Sequence, residues 1–323
     1  MEKLEYQEGR TELESLGEFA LIERLTDGFG RVNKSTVKGV GDDAAVLGTG
    51  KKKTVVTTDM LVEGIHFDMT YTPLRHLGYK AVAINLSDIC AMNATPRQVL
   101  VSVAVSNRFS VEALEELYAG IRLCCERYDV DLVGGDTSSS RLGMVISVTA
   151  IGEADSDKIT YRSGAQLHDL ICVSGDLGSA YSGLLVLERY LKPEPRTDIV
   201  KLLAEKEIVP TSMIDVSDGL ASELLHICKQ SKCGCQIYEE RLPIDYQTSR
   251  VCSEMSQNML PVSNALNGGE DYELLFTINQ KDYEKIKGSQ EIHIIGHITD
   301  PGTPAVMVTP QNSTIELHAQ GWK

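Results

Sequence analysis

Apolar positions along this 323-residue chain recur with two spacings, every three to four residues in some stretches and every second residue in others. The changes of rhythm lay out the elements. Phe19, Ile22 and Leu25 stand at helical spacing and predict a short amphipathic helix opening at Gly17. A polar, glycine-bearing stretch through Gly41 gives way to β-rich Ala44–Leu47 and Lys53–Thr58, the latter expected to end where Asp59 begins. Between His76 and Met92, Leu77, Ala81, Ile84 and Ile89 mark a helix that carries Asp88 in its last turns, with Pro96 expected to close it. Val99–Val105 is β-branched and almost continuously apolar, which predicts a strand buried on both faces. Ser110 then caps a long helix with the stripe Leu114, Leu117, Ile121, Cys124 and Tyr128. Strands are predicted at Val130–Val133 and Met144–Ala150, with Gly134–Ser140 read as a binding loop between them.

The apolar rhythm breaks near Glu153 to Lys158 and then resumes in the same α/β style. Strands are predicted at Asp169–Ser174, Met213–Asp215, Glu273–Ile278 and Ile292–Ile295, with helices at Tyr181–Leu191, Leu220–Lys229 and Lys281–Lys287. At this length two units of about 150 residues are the expectation. The boundaries are set at 1–153 and 154–323, in an α/β fold of the α+β type.

Composition narrows the function. Lys and Arg number 31 against 46 Asp and Glu, a formal charge of −15 with a pI of about 4.9, so nucleic acid is not expected as a partner. No apolar run is long enough to span a membrane, and the first residues lack a basic-then-apolar leader pattern, so no membrane partner and a cytoplasmic location are expected. Eight cysteines without a paired C-x-x-C spacing suit a reducing compartment and packing as small hydrophobes. Cys233 and Cys235 have no companion ligand at zinc spacing.

Seven aspartates sit beside Gly, Ser or Thr near the ends of apolar runs: Asp42 and Asp43, Asp59, Asp88, Asp136, Asp215 and Asp218. A single Asp-Gly or Gly-Asp pair is ordinarily a turn or a helix cap. Five such motifs in series read as hard oxygen ligands for Mg2+ held near a polyphosphate, because an acidic chain binds such an anion only with cations between them. Neither Gly-x4-Gly-Lys-[Ser/Thr] nor Gly-x-Gly-x-x-Gly after a strand occurs, so an ATP site has to be built another way.

In Gly39–Ala45, Thr57–Phe67, Gly78–Asp88, Gly134–Thr137, Arg162–Ala165, Ile214–Leu220 and Gly268–Leu274, the chain resembles the thiamine-monophosphate kinase family. More distantly it is similar to the aminoimidazole ribonucleotide synthetase and selenophosphate synthetase superfamily. The likeness runs from about Gly17 to Trp322. It implies ATP-dependent phosphorylation of thiamine monophosphate to thiamine diphosphate, on two α/β domains whose N-terminal halves pair in a homodimer. The same resemblance implies Asp43, Thr57, Thr58, Asp59, Asp88, Asp136, Asp215 and Asp218 as Mg2+ ligands, and Tyr118, Gly135, Asp136, Arg162 and Ser217 as ATP contacts. His66, Glu270 and Trp322 are implied on the thiamine phosphate side. Asp43, Asp88, Asp218 and Arg162 are the residues expected to carry the chemistry, with Asp42 a turn residue beside Asp43.

Two other readings stay open at this stage. One is an ATP-using relative with a different substrate, although the first cysteine is Cys90 and the chain ends Gly321-Trp322-Lys323, away from the reactive cysteines of the selenophosphate and hydrogenase-maturation relatives. The other is a non-catalytic nucleotide- or cation-binding module. If Trp322 lies flat on the cationic thiazolium ring, the contact is worth about 0.5–2 kcal/mol. Trp322→Ala is then expected to weaken thiamine monophosphate binding and leave ATP affinity intact in calorimetric titrations; equal losses for both ligands contradict the assignment.

Overall fold

The structure, a computed structural model, describes residues 18–180, 192–244, 246–255 and 260–319. The helix expected at 181–191 and Trp322 lie outside them. In the first half α1 (Glu18–Thr26) is followed by β1 (Thr36–Lys38), β2 (Ala45–Leu47), β3 (Lys52–Val62), α2 (Leu74–Ala91), β4 (Thr95–Val105), α3 (Val111–Tyr128), β5 (Asp131–Ser139) and β6 (Val145–Asp155). These strands form one sheet in the order β1-β2-β3-β6-β4-β5, antiparallel except where β4 runs beside β5.

Strand alternation gives the sheet one apolar face. Val55 and Leu61 of β3, Val99, Val101 and Val103 of β4, and Ile146, Val148 and Ala150 of β6 are buried in one core with α2 and α3. Ser110 caps α3 as its sequence predicts, its Oγ accepting the Ala113 N–H. The two helices touch backbone to backbone. A methyl group at Gly78 would stand 2.0 Å from the Leu117 carbonyl oxygen, and one at Gly120 would stand 1.8 Å from that of Arg75.

Four expectations are corrected here. Burial alternates along β4, so that strand is covered on one face only. Gly134–Ser139 belongs to β5, an edge strand exposed along its whole length; it is not a loop. Gly135 lies at φ +155°, where a Cβ would meet the Val101 carbonyl oxygen at 1.8 Å, so glycine there allows β5 to pair closely with β4. Pro96 lies inside β4, while α2 ends at Ala91. Asp59 is an interior residue of β3, because that strand runs on to Val62.

The second half supplies β7 (Leu170–Ser174), α4 (Thr197–Glu205), β8 (Ser212–Asp215), α5 (Leu220–Ser231), β9 (Gly234–Tyr238), α6 (Tyr246–Met255), α7 (Pro261–Asn267), β10 (Leu274–Ile278), α8 (Tyr283–Ile286), β11 (Ile292–Thr299), β12 (Val306–Val308) and β13 (Thr314–Glu316). The strand order is β13-β12-β9-β11-β7-β10-β8, with only the β9–β12 pair parallel. α2 links the halves: Cys90 and Ala91 share a core with Cys172, Ile199, Met213 and Phe276, while Tyr272 crosses back into the first core. All eight cysteines are unpaired. Among the described residues no helix is long and apolar enough to cross a membrane.

Gly120→Ala forces the α2–α3 crossing apart and is expected to destabilise the protein by about 1–3 kcal/mol, in the range of other overpacked cores. Urea unfolding monitored by circular dichroism measures it; a neutral Gly120→Ala contradicts the close crossing.

Candidate active site

β3, α2, β8 and the Gly41–Asp43 turn converge where the halves meet. Asp43, Asp88 and Asp215 each offer a carboxylate oxygen there, all within 4.8 Å of one another. Each is held by a different element. Ser87 Oγ donates to Asp215 Oδ2 at 2.6 Å, tying α2 to the end of β8. Thr57 Oγ1 donates to Asp88 Oδ2 at 2.6 Å. Arg162 donates from Nη2 and Nε to one oxygen of Asp43, Oδ1, at 2.6 and 3.1 Å. Asp42 takes the Arg162 backbone N–H at 3.0 Å and pairs with Lys38 at 3.1 Å, the turn role expected for it. Asp43 Oδ2 is buried without a hydrogen-bond partner.

Crowding and loss of water make these carboxylates hard to ionise. Burial pushes Asp43 up to about 7, with Asp215 and Asp42 adding to the rise and Arg162 opposing it. Burial likewise raises Asp215 to about 6, against the Ser87 hydrogen bond and Arg162. Asp88 is held well above the usual carboxylate range by desolvation and by Asp59, Asp215 and Asp43. Asp218 is raised by burial and by Glu270, with Arg162 opposing. The unfolded chain titrates near 3.8, so the folded chain binds extra protons above that value. Metal-free stability therefore falls as pH rises from about 4 to about 7, and cation affinity rises over the same interval.

The expected site residues fall into three groups. Asp43, Thr57, Asp88, Asp215 and Arg162 come together directly. Asp59 joins them from the same face of β3 as Thr57, its N–H donating to Asn85 Oδ1 at 3.0 Å and its charge acting on Asp88 and Asp215. Asp218, Ser217 and Glu270 form the rim: Glu270 donates its N–H to the Ser217 carbonyl at 2.7 Å, and Asp218 lies within the field of Glu270 and Arg162.

Thr58 and Asp136 stand apart. Alternation turns Thr58 to the open face of the sheet, where its hydroxyl meets Val148 O and Thr149 Oγ1, both at 3.1 Å. Asp136 pairs in register with Ser102 on that same face, three strands and about 14 Å from β3. Tyr118 lines a cavity of about 360 Å³ with Arg122, Asp129, Asp131 and Leu132. His66 is exposed on the turn after β3; its Nδ1 accepts the Val62 N–H at 3.0 Å, which leaves Nε2 to carry the proton of the neutral ring.

Residues not assigned a role from sequence are Lys80, Asn85, Ser87 and Glu223. Lys80, Asn85 and Ser87 are buried polar groups on an otherwise apolar helix, the signal that could have found them. Glu223 is buried on α5 and accepts the Asp218 N–H at 2.9 Å.

Removing one of the repelling charges has opposite consequences with and without metal. Asp88→Asn is expected to raise the metal-free melting temperature by about 2–4 °C for each kcal/mol relieved and to abolish the stabilisation given by Mg2+. In the unaltered protein that stabilisation is expected to shrink below pH 6. Thermal unfolding with and without Mg2+ at pH 6 and pH 8 tests both; a Mg2+ effect that ignores pH contradicts them.

Comparison with known proteins identifies the family. Residues 41–154 match the family described as AIR synthase related protein, N-terminal domain. Thiamine-monophosphate kinase of Bacillus subtilis (strain 168) is 33% identical over 95% of this chain and 99% of its own length. That of Aquifex aeolicus (strain VF5) is 35% identical over 82% of this chain and 87% of its own. The solved structure of AaThiL complexed with AMPPCP and TMP superposes with a TM-score of 0.84 at 30% identity, covering 98% of this chain and 99% of that one. By sequence along nearly its whole length and by fold, the chain belongs to the thiamine-monophosphate kinase family.

Proposed function

We propose that this chain transfers the γ-phosphoryl group of ATP to the phosphate of thiamine monophosphate, giving ADP and thiamine diphosphate. The observation that carries the reading is the trio Asp43, Asp88 and Asp215, three oxygens within 4.8 Å with Asp43 Oδ2 buried and unsatisfied. An all-oxygen donor set with one orphaned carboxylate oxygen fits a hard divalent cation. Asp43, Asp88 and Asp215 would hold Mg2+ with Asp59 and Thr57 beside them and Asp218 at the rim; Thr58 and Asp136, on the open face, stand outside this set. Bound there, Mg2+ neutralises polyphosphate charge and orients donor and acceptor oxygens.

The acceptor oxygen of a phosphate monoester is already anionic near neutral pH, so the protein has no strong base to provide. Its task is to bring two anions into line. Arg162 holds Asp43, and a guanidinium there would also clamp a phosphate oxygen. The Ser217–Gly219 turn, the Gly135–Asp136 segment and the Tyr118 cavity serve the nucleotide. On the acceptor side His66 offers Nε2–H, Glu270 a carboxylate for the cationic ring, and Trp322 a flat face. AaThiL complexed with AMPPCP and TMP supports the two substrates.

Among the described residues α2 and α3 pack on one face of the six-stranded sheet, and β5 is exposed throughout, with Met60, Leu132 and Val133 among the exposed apolar residues. This supports a homodimer formed through the N-terminal units, with the units divided as 1–153 and 154–323. Unpaired cysteines are in keeping with a cytoplasmic enzyme.

The purified protein with Mg2+, ATP and thiamine monophosphate is expected to yield ADP and thiamine diphosphate in equal amounts. With chirally labelled ATP the transferred phosphorus is expected to invert, as one direct displacement requires; retention contradicts direct transfer. Absence of thiamine diphosphate overturns the reading.

A further inference from the structure

Lys80 lies on α2 with only 3% of its surface exposed, and its ammonium pairs with the Glu270 carboxylate of the second half. A buried lysine is costly unless paired, so this contact fixes the lysine and the glutamate together. Lys80, Ser87 and Asp88 share one helix face at i, i+7 and i+8. Along that face Asp88 reaches the aspartate cluster, Ser87 grips Asp215, and about 12 Å further up the helix Lys80 grips Glu270.

The backbone around Glu270 is held by a second set of restraints. Glu270 and Tyr272 both adopt positive φ, +73° and +52°, which non-glycine residues keep only where surrounding contacts enforce it. Their N–H groups donate to Ser217 O at 2.7 Å and Val216 O at 2.8 Å. Between them Asp271 turns the other way and accepts the Gly178 N–H at 2.7 Å. The Glu270 side chain is thereby aimed back across the cleft at α2, beside Asp218, while about one third of it stays exposed.

We propose that Lys80 is a positioning residue for the acceptor substrate, holding the Glu270 carboxylate at the mouth of the cleft so that it meets the cationic ring while the substrate's phosphate reaches the aspartate cluster. The proposal rests on the reading that the acceptor is thiamine monophosphate. Lys80 acts through Glu270, so its removal affects recognition of the ring cation and leaves the nucleotide side alone.

The test compares Lys80→Gln, Lys80→Arg, Glu270→Gln and the Lys80→Gln/Glu270→Gln double variant with the unaltered enzyme. Free thiamine, which carries the ring cation without the phosphate, serves as a competitive probe. Lys80→Gln is expected to raise KM for thiamine monophosphate and the inhibition constant of thiamine at least about tenfold, in the range for breaking a buried charge pair. KM for ATP is expected to stay within about twofold, smaller than any tenfold step of binding. Lys80→Arg is expected to recover most of the loss, and the double variant to be no worse than Glu270→Gln alone. Equal effects on both substrates, unchanged thiamine inhibition, or additive losses in the double variant overturn the proposal. If Lys80→Gln does not fold, the charge-keeping Lys80→Arg and the neutral double variant still decide it through the thiamine constant. An unaltered enzyme that makes no thiamine diphosphate sinks the parent reading separately, whatever the Lys80 variants do.

Discussion

Three carboxylates with oxygens within 4.8 Å of one another, inside a protein, repel each other strongly, and the rest of the structure is arranged to tolerate that repulsion. Burial raises the affinity of all three for protons. Partial relief comes from Arg162 on Asp43, Thr57 on Asp88 and Ser87 on Asp215, one donor from a different segment for each acid. What remains unsatisfied, above all Asp43 Oδ2, is the measure of how strongly the site favours a cation. Stability is thus given up locally where like charges are concentrated, a cost that a bound hard cation would relieve.

α2 makes the arrangement possible because it is buried on several sides at once. Gly78 admits α3 at backbone contact on one side, the six-stranded sheet covers another, and β8 of the seven-stranded sheet meets the helix at Ser87. A helix so enclosed should be apolar all round. Its polar interruptions at Lys80, Asn85, Ser87 and Asp88 all have bonding partners or reach the cleft. Asn85 bridges the Asp59 N–H and the Ala81 carbonyl, so the strand and the helix that bear the acids are set relative to each other by one side chain.

The open face of the first sheet presents a different chemistry. Thr58, Thr149, Ser147, Ser102 and Asp136 line it by strict alternation across β3, β6, β4 and β5. Adjacent residues of a single strand are therefore divided between two environments: Thr57 and Asp59 face the acid cluster under α2, and Thr58 faces outward. A motif written as consecutive letters is two half-motifs on a pleated strand.

Much of this was legible in the chain itself. The periods of the apolar residues located α2, α3, β4, β6, β7, β8 and β10, because amphipathic elements must show one face to a core. The aspartates beside Gly, Ser and Thr include the three acids that the fold gathers, Asp43, Asp88 and Asp215, although Asp59 and Asp136 lie inside strands and not at their ends. Sequence could not show that Gly134–Ser139 is an edge strand, because glycine and serine there suit a turn as well as a β-ladder whose partner is distant in the chain. Nor could it separate Thr58 and Asp136 from the other ligand candidates, or join Lys80 to Glu270, 190 positions apart. Residue type and spacing determine which groups are available and which face of an element they occupy. Which of them meet is a property of how the two sheets close on α2, and only the packed chain contains it.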